Sequence, residues 1–326
     1  MFENKTLLVT GGTGSFGKKF IELTLNKFNP KRIIVYSRDE MKQWTMSQNY
    51  IANNKIEFII GDIRDKERLN SVLSDVQIVI HAAATKIVPT AEYNPFECIK
   101  TNINGAMNLI EICKEKRIEK VIALSTDKAS NPVNLYGATK LASDKLFVAA
   151  NSNNFNQITK FSVVRYGNVI GSRGSVVPFF MQKKKEGVIP ITDERMTRFM
   201  ITLEEAVEIV WFAIKDMEGC EIYLKKIPSM KIMDIAKAID QDAKIKKIGI
   251  RPGEKIHEQM IGEDEAPYTF EYNNYYKILP AINAWFKDKK RIKNGEKVSD
   301  NFNYRSDKNE LWMKREDLSK WISENL

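Results

Sequence analysis

An acid and a lysine stand side by side at Asp127 and Lys128, directly after an apolar run that predicts a buried strand. At the carboxyl end of a parallel strand such a pair would point into a ligand cleft. Oxidation and reduction alone need neither group. Elimination of water needs both, because one group removes a proton next to a ketone and an acid protonates the departing hydroxyl. We favour elimination over the alternative, an ion pair on a surface loop.

A tyrosine and a lysine follow at Tyr136 and Lys140, a spacing that places both on one face of a helix. The lysine ammonium can lower the pKa of the tyrosine and hold a nicotinamide ribose. The tyrosine, helped by Thr126, can then take a proton from an alcohol as hydride leaves. This spacing is common by chance, but it gains meaning from a glycine motif about 120 residues upstream.

The glycine motif lies between the first predicted strand and the first predicted helix, where a dinucleotide pyrophosphate would need a tight turn and a close backbone approach. A simple tight turn is the alternative. The residues predicted to contact the cofactor here are Gly11, Thr13, Gly14, Ser15, Phe16 and Gly17.

The ends of the next two strands indicate which dinucleotide is bound. Ser37 and Arg38 follow the second strand, and a hydroxyl with a guanidinium suits a 2′-phosphate, so we expect NADP. Asp39 leaves NAD open, or it could begin the next helix. Asp62 and Ile63 follow the third strand, where Asp62 could accept from the adenine amino group or serve as a turn acid.

The fourth strand ends in small residues that would let the cofactor lie close. We expect Ala82 and Ala83 to contact it, and His81 to be a packing residue. Lys86 is predicted to lie near the nicotinamide and the substrate, with a solvated lysine as the alternative.

These residues are positioned by alternating strands and helices, which predicts an α/β fold with a Rossmann-type, doubly wound parallel sheet. The strands, rich in β-branched residues, are predicted at 6–10, 32–36, 56–60, 76–81, 120–124 and 161–164. The helices are predicted at 16–28, 91–116 and 136–150.

After about residue 165 this alternation stops, and loops with glycine and proline appear, which predicts a smaller α/β lobe over the carboxyl ends of the strands. We therefore expect an NADP-binding domain at 1–165, with segments returning at about 193–224. A substrate-binding lobe and polar tail are predicted at 166–192 and 225–326.

Composition excludes several other classes of protein. Lys and Arg number 51 against 42 Asp and Glu, a net charge of +9 that we attribute to solvated lysines rather than a nucleic-acid surface. Three scattered cysteines and two distant histidines predict no metal site. No apolar stretch approaches the ~20 residues that span a bilayer, so we expect a cytoplasmic protein without membrane contact.

The chain resembles the short-chain dehydrogenase/reductase superfamily, in its extended branch that acts on nucleotide sugars. Its Asp-Lys pair is similar to that of the inverting UDP-N-acetylglucosamine 4,6-dehydratases, whereas retaining 4,6-dehydratases carry Asp-Glu. The matching stretches are TGGTGSFG at 10–17, YSRDE at 36–40, GDIRDKERL at 61–69, AEYNPFECIKTNINGA at 91–106, LSTDKASNPVNLYGATKLASDKLFVAAN at 124–151, RYGNVIGSRGSVVPFF at 165–180, PITDERMTRF at 190–199 and IGIRPGEKIHE at 248–258.

The resemblance implies a substrate, UDP-N-acetylglucosamine, and a tightly held NADP that is regenerated in each turnover. The implied reaction is the first step of pseudaminic acid or related surface-sugar synthesis, as in flagellin glycosylation. A homo-oligomer, hexamer or dimer, is implied as well. The implied substrate contacts are Lys86, Asn168, Arg173, Thr192, Arg198, Arg251 and Glu254. Ile87 departs from the family, which usually has a histidine there.

The resemblance also implies the roles of the reacting groups. Tyr136 deprotonates the C4 hydroxyl while NADP⁺ takes hydride, Lys128 removes the C5 proton, and Asp127 protonates the departing C6 hydroxyl. Lys128 then returns a proton to the opposite face of C5. We expect a desolvated cleft beside a cationic nicotinamide ring to lower the pKa of Lys128, and burial to raise that of Asp127.

Two rival functions stay open at this point. A nucleotide-sugar 4-epimerase would need only Tyr136 and Lys140, and Asp127 with Lys128 argues against it. A non-catalytic, NADP-binding regulatory protein is the other, and the intact tyrosine and lysine argue against that.

Overall fold

The computed structural model describes residues 1–152 and 158–326. The strands are β1 (Thr6–Thr10), β2 (Arg32–Ser37), β3 (Ile56–Ile60), β4 (Ile78–His81), β5 (Lys120–Thr126), β6 (Lys160–Tyr166), β7 (Asn168–Val169), β8 (Val188–Ile191), β9 (Thr197–Ile201), β10 (Ile222–Lys225), β11 (Ser229–Lys231), β12 (Lys244–Lys247), β13 (Gln259–Ile261), β14 (Thr269–Glu271), β15 (Tyr275–Ile278), β16 (Glu296–Lys297) and β17 (Tyr304–Arg305). The helices are α1 (Ser15–Lys27), α2 (Glu40–Ser47), α3 (Lys66–Val72), α4 (Val88–Tyr93), α5 (Pro95–Ile99), α6 (Gly105–Glu115), α7 (Leu135–Ala149), α8 (Val176–Lys185), α9 (Leu203–Asp216), α10 (Ile232–Ile239), α11 (Lys289–Ile292) and α12 (Arg315–Asn325).

The largest sheet has ten strands, in the order β16-β14-β15-β10-β6-β5-β4-β1-β2-β3. The run from β10 to β3 is parallel throughout, which confirms the predicted Rossmann-type sheet. All five residues of β1 are buried, because helices cover both faces of the sheet. The carboxyl ends of β1, β4 and β5 meet at one edge, where the predicted site residues are concentrated.

The six strands predicted from the apolar runs are confirmed. The single helix predicted at 91–116 is wrong, because the chain leaves helical geometry at Asn94, where φ is −131°. Pro95 follows, and a residue before proline is disfavoured in the helical region. Two short helices result, and a π-helical turn at Lys100–Asn104 then leads into α6.

The second half of the chain builds a smaller lobe with its own apolar core, in which α8, α10 and α12 pack together. Strands β8 and β12 pair beside it. Strand β10 joins the main sheet in parallel, and β14, β15 and β16 extend that sheet in antiparallel pairs. The segment 225–326 thus contributes to both the lobe and the main sheet, and its assignment to substrate binding stays a prediction.

Across 1–152 and 158–326, no helix combines the length and the apolar character that crossing a bilayer requires. In the same residues no cluster of histidine, cysteine and acidic side chains has the geometry of a metal site. The cysteines at 98, 113 and 220 are free thiols in the protein interior.

Candidate active site

The turn after β1 has no room for side chains at its glycines. Gly11 has φ +64°, and a Cβ there would lie 2.8 Å from the backbone nitrogen of Ala83. A Cβ on Gly17 would lie 2.5 Å from the Cα of Gly12. Helix α1 then begins at Ser15 with no acid in its first turn, so its amide groups are open to an anion. Backbone and helix N-terminus together form a cradle that fits a dinucleotide pyrophosphate.

Arg173 closes over this turn from the second half of the chain. Its guanidinium Nη2 donates to the carbonyl oxygen of Thr13 at 2.6 Å, and its amide donates to Ser15 Oγ at 3.1 Å. Lys86 Nζ donates to the Arg173 carbonyl oxygen at 3.1 Å. Desolvation lowers the pKa of Lys86, and Arg173 adds to the shift. Arg173 thus contacts the glycine turn, and its predicted contact with substrate stays a prediction.

The residues after β2 form a small polar network. Ser37 Oγ accepts from Gln43 Nε2 at 3.1 Å and from Thr13 Oγ1 at 3.3 Å. Asp39 accepts from the amide of Lys42 and caps α2, which is the helix-start alternative given above. Its carboxylate is therefore engaged by the helix, and its role toward a ribose stays a prediction.

Arg38 is the exposed cation of this region, with 59 % of its side chain accessible. Its Nη1 lies 3.7 Å from Asp62 Oδ2. Asp62 in turn accepts from the amide and from Nε of Arg64, both at 2.9 Å, so it serves as a turn acid here. Its other proposed role, toward an adenine amino group, stays a prediction, as does the contact predicted for the neighbouring Ile63.

Helix α7 presents the tyrosine and the lysine at the end of β5. Asn134 caps this helix by accepting from the Gly137 amide at 2.7 Å. Lys140 Nζ donates to the Leu124 carbonyl oxygen at 2.6 Å. The side chain of Thr126 lies beside the Tyr136 phenol and lowers its pKa. The structure therefore brings the predicted tyrosine, lysine and threonine together.

The pKa of Tyr136 is raised to about 12, because burial outweighs the opposing effects of Lys128 and Thr126. Among the cations around the tyrosine, Lys128 has the largest effect on its pKa. Burial lowers the pKa of Lys140, with partial compensation from Asp144.

A buried cluster of two carboxylates and one lysine adjoins the tyrosine. Lys128 Nζ lies 3.0 Å from Asp127 Oδ1 and 3.1 Å from Glu258 Oε1. The side chains of Asp127 and Glu258 are 1 % and 3 % exposed. Thr126 Oγ1 donates to Asp127 Oδ1 at 3.0 Å, which links this cluster to Tyr136.

The two predicted pKa directions have different outcomes. Burial raises the pKa of Asp127, as expected. Burial alone would lower the pKa of Lys128, but Asp127 and Glu258 outweigh it, and the pKa is raised. In the protein alone the pKa of Lys128 is therefore raised, and the lowering expected beside a nicotinamide ring stays a prediction. The effect of Glu258 could not be foreseen, because no motif pairs it with this lysine. The pKa of Glu258 is lowered: burial opposes its ionisation, and Lys128 and Arg198 overcome that effect.

A cleft of about 460 Å³ opens beside the cluster, lined by Lys128, Glu258 and residues of α8. Among the described residues, buried side-chain atoms without a hydrogen-bond partner include Asp127 Oδ2, Asn168 Oδ1, Ser175 Oγ and Glu258 Oε2. Three of these four residues line the cleft. Buried polar groups are nearly always paired, so this set is suited to a polar ligand.

The structure places most of the predicted substrate residues in this cleft, namely Asn168, Thr192, Arg198, Arg251 and Glu254. Arg198 donates to the carbonyl oxygens of Thr197, Ile256 and Lys255, which leaves it fewer donors for a ligand than a free guanidinium has. Ile87 is 56 % exposed and immediately precedes α4, whose first residues line the cleft.

Sequence reasoning missed Glu258, Ser175 and Lys255. Lys255 Nζ donates to the Ser130 carbonyl oxygen at 2.8 Å, which ties the cleft wall to the loop after β5. Glu258 and Lys255 lie in the stretch IGIRPGEKIHE, in which the resemblance points only to Arg251 and Glu254. A buried acid from so distant a segment cannot be paired with Lys128 from spacing alone.

The π-helical turn before α6 connects two segments next to this site through the side chain of Asn102. Asn102, 2 % exposed, accepts from the Thr85 amide and donates to the Thr85 carbonyl oxygen and to Thr139 Oγ1, at 2.9, 3.0 and 3.0 Å. It therefore joins the loop after β4 to α7. π-Helical turns are frequent at functional sites.

Comparison with known proteins places the chain among sugar-processing enzymes. Residues 7–280 match the family described as polysaccharide biosynthesis protein. An inverting UDP-N-acetylglucosamine 4,6-dehydratase of Campylobacter jejuni serotype O:2 is 54 % identical, covering 99 % of this chain and 98 % of that protein. A UDP-glucose 4-epimerase of Rickettsia bellii is 41 % identical, covering 85 % of this chain and 84 % of that protein.

The X-ray structure of Pen from Bacillus thuringiensis superimposes with a TM-score of 0.90 and 34 % identity, covering 99 % of both chains. Sequence and structure thus agree over almost the full length of this chain. The chain belongs to the polysaccharide biosynthesis protein family, together with the inverting dehydratase of Campylobacter jejuni.

Proposed function

We propose that the protein is an inverting UDP-N-acetylglucosamine 4,6-dehydratase, a lyase that forms UDP-2-acetamido-2,6-dideoxy-β-L-arabino-hexos-4-ulose. The observation that carries this proposal is the buried Asp127–Lys128 pair, 3.0 Å between Oδ1 and Nζ, beside Tyr136 and the cleft. The full-length relative from Campylobacter jejuni, named for the same reaction, supports it.

The cofactor we assign is NADP. The glycine turn fits a pyrophosphate, since a Cβ at Gly11 would fill the space beside Ala83. Arg38 is exposed next to Ser37, where a guanidinium and a hydroxyl can bind a 2′-phosphate. When bound, NADP⁺ supplies a hydride acceptor for C4 and, once reduced, a hydride donor for C6. Arg173, with its contacts to Thr13 and Ser15, would retain the dinucleotide between turnovers.

Oxidation of C4 is assigned to Tyr136. Its phenol, raised to a pKa of about 12 by burial, must give up a proton before it can accept one from the C4 hydroxyl. Thr126 connects it to Asp127 through a 3.0 Å hydrogen bond, a route along which the proton can move. Lys140, held by the Leu124 carbonyl oxygen at 2.6 Å, is positioned to contact the nicotinamide ribose.

Elimination is assigned to Asp127 and Lys128. The C4 ketone acidifies the C5 hydrogen, which the Lys128 amine removes. Asp127, kept protonated by burial, gives its proton to the C6 hydroxyl, which departs as water. Inversion follows when the proton returns to the opposite face of C5. The same two groups explain why a ketone intermediate would lose water instead of being reduced directly.

A 4-epimerase is the second candidate, favoured by the 41 % identity to the Rickettsia bellii enzyme. That reaction needs Tyr136 and Lys140 but gives no role to a protonated buried aspartate. The Asp127–Lys128–Glu258 cluster therefore favours the dehydratase.

The test is proton NMR of the purified protein with UDP-N-acetylglucosamine in D₂O, without added cofactor. We expect a C6 methyl signal, deuterium at C5 and L-arabino couplings. A D-xylo product would overturn the inverting assignment, and a C4 epimer without a methyl group would establish the epimerase. Mass spectrometry of the dinucleotide released on denaturation distinguishes NADP from NAD.

A further inference from the structure

Glu258 is a buried carboxylate in direct contact with the proposed base. Its side chain is 3 % exposed, and Oε1 lies 3.1 Å from Lys128 Nζ. Its other oxygen, Oε2, is buried and has no hydrogen-bond partner among the residues that the structure describes. The Glu258 backbone is fixed by the Ser306 hydroxyl, which accepts from the Glu258 amide at 2.9 Å. The carboxylate is thus held against the lysine with one acceptor oxygen still free.

The proposed reaction creates a need for such a group. The amine of Lys128 removes the C5 proton only in its neutral form, but its ammonium lies between two carboxylates. Asp127 is occupied by its own task, because it must hold a proton for the departing hydroxyl. Another acceptor must therefore take the surplus proton from the ammonium, and within the described part of the chain Glu258 is the other carboxylate in contact with Lys128.

We propose that Glu258 takes a proton from the Lys128 ammonium and thereby frees the amine that removes the C5 proton. This inference rests on the proposed function. One N–H bond at Lys128 breaks and one O–H bond at Glu258 forms. The ammonium–carboxylate pair becomes an amine–carboxylic acid pair, so its net charge stays at zero. The proton returns to Lys128 by the same path when C5 is reprotonated and the amine is charged again.

The surroundings keep Glu258 ionised before the proton transfer. Arg198 Nε lies 3.7 Å from Oε1, and the nearby Lys255 also favours the ionised carboxylate. Asp127 and the phenol of Tyr136 are the other titratable groups that face Lys128. Glu258 is therefore without a proton when C5 is to be deprotonated, whereas Asp127 holds the proton that has reached it from Tyr136.

A purely structural Glu258 would predict a different result. If it only held Lys128 in its charged form, its removal would release the amine and leave proton abstraction equally fast or faster. If it accepts the proton, its removal forces that proton to leave through solvent. Abstraction then becomes slow and gains a dependence on pH.

The experiment measures exchange of the C5 hydrogen for deuterium in the finished product, which requires no hydride transfer. Wild-type protein, Glu258→Gln and the control Glu263→Gln are compared; Glu263 is an exposed acid nearby in the chain. We expect Glu258→Gln to exchange at least about 100-fold more slowly, with a rate that rises about tenfold per pH unit. Wild type and Glu263→Gln should lack that slope.

Exchange by Glu258→Gln within about threefold of wild type, or without the pH slope, would overturn the inference. If this variant does not fold, Glu258→Asp decides, since it retains a carboxylate: slowed exchange without a slope supports the inference, and exchange with a slope overturns it. A wild-type protein that makes no C6 methyl product would overturn the proposed function itself. That result is distinguishable, because it appears before any variant is compared.

Discussion

Lys128 is the side chain whose loss should separate oxidation from elimination. We expect Lys128→Ala to keep its nicotinamide cofactor, because no contact of Lys128 with the glycine turn exists in the described structure. Formation of the C6 methyl product should fall by about 100-fold or more. Oxidation at C4 should still occur, and the near-ultraviolet absorbance of reduced nicotinamide should build up after substrate is added.

The matched control is Lys320→Ala, which removes a lysine on α12, far along the chain from the cluster. It should form the methyl product at the wild-type rate. Full dehydration by Lys128→Ala would contradict the assignment of this lysine.

His81 should make the fold sensitive to acid. It is 2 % exposed, with its Nδ1 2.8 Å from Thr10 Oγ1, and burial lowers its pKa from 6.5 to about 3. The unfolded chain therefore binds a proton below pH 6.5 that the folded chain binds only near pH 3, so stability falls as pH falls through this window. From about pH 7 to about pH 5 the loss should be about 2 kcal/mol.

Denaturant unfolding at both pH values checks this expectation. His81→Gln, which does not titrate but can still bond to Thr10, should lose about 2 kcal/mol less than wild type over the same interval. Equal losses in both proteins would assign the acid sensitivity to other groups.

The chemistry of individual residues could be predicted from the sequence only in part. The strand–turn context locates Asp127, Lys128, Tyr136 and Lys140 correctly beside one another. The charge state of Lys128 could not be predicted, because it depends on Glu258, which reaches the site from a distant segment. Nor could the contact of Arg173, because nothing in its stretch of sequence indicates that it folds over Thr13.

At the scale of elements, the contact between α1 and the glycine turn should be intolerant of any side chain. A Cβ on Gly17 would lie 2.5 Å from the Cα and carbonyl oxygen of Gly12. We expect Gly17→Ala to lower the free energy of unfolding by about 1–3 kcal/mol and to remove bound cofactor, because the turn must open. Cofactor content is read from the dinucleotide released by denaturation.

Gly187→Ala is the control for this change. Gly187 has φ +80°, but a Cβ added there would have no described atom within 4 Å, so the alanine costs backbone strain without a clash. It should lose some stability and keep its cofactor. Equal cofactor loss in both variants would show that general destabilisation, and not the turn, is responsible.

Elements with continuous apolar runs could be predicted well, and those set by side-chain contacts could not. Strand β1 is buried throughout, so its composition alone identifies it. The π-helical turn at Lys100–Asn104 has no such signature, because it depends on the bonds of Asn102 to Thr85 and Thr139. The break at Pro95 was visible in the sequence, but the apolar period on both sides of it favours one continuous helix.

For the whole molecule, Arg173 joins the second half of the chain to the cofactor turn of the first. We expect Arg173→Ala to lose its nicotinamide dinucleotide about tenfold faster or more, since one charge-assisted hydrogen bond to Thr13 disappears. The measurement is cofactor retained by wild type and variant during gel filtration. Arg195→Ala, which removes a 68 % exposed arginine bound to Asp193, should retain cofactor as wild type does.

The sequence could not predict that β14, β15 and β16 extend the main sheet. These strands have two to four residues each, too few for a hydrophobic period to emerge. Tyr93 on α4 and Phe96 on α5 are apolar side chains exposed to solvent, 87 % and 76 % accessible. The oligomeric state stays a prediction, which sedimentation of the wild-type protein would test.

The contact of Arg173 with the glycine turn couples binding of the dinucleotide to binding in the cleft. Residues 174–176, the next three along the chain, line the cleft beside Lys128 and Glu258. A nucleotide sugar packed against them restrains the same stretch of backbone that holds the arginine over the dinucleotide. By thermodynamic reciprocity each ligand then raises the affinity of the protein for the other. Protein dialysed with the nucleotide sugar should keep its dinucleotide, whereas protein dialysed alone should gradually lose it.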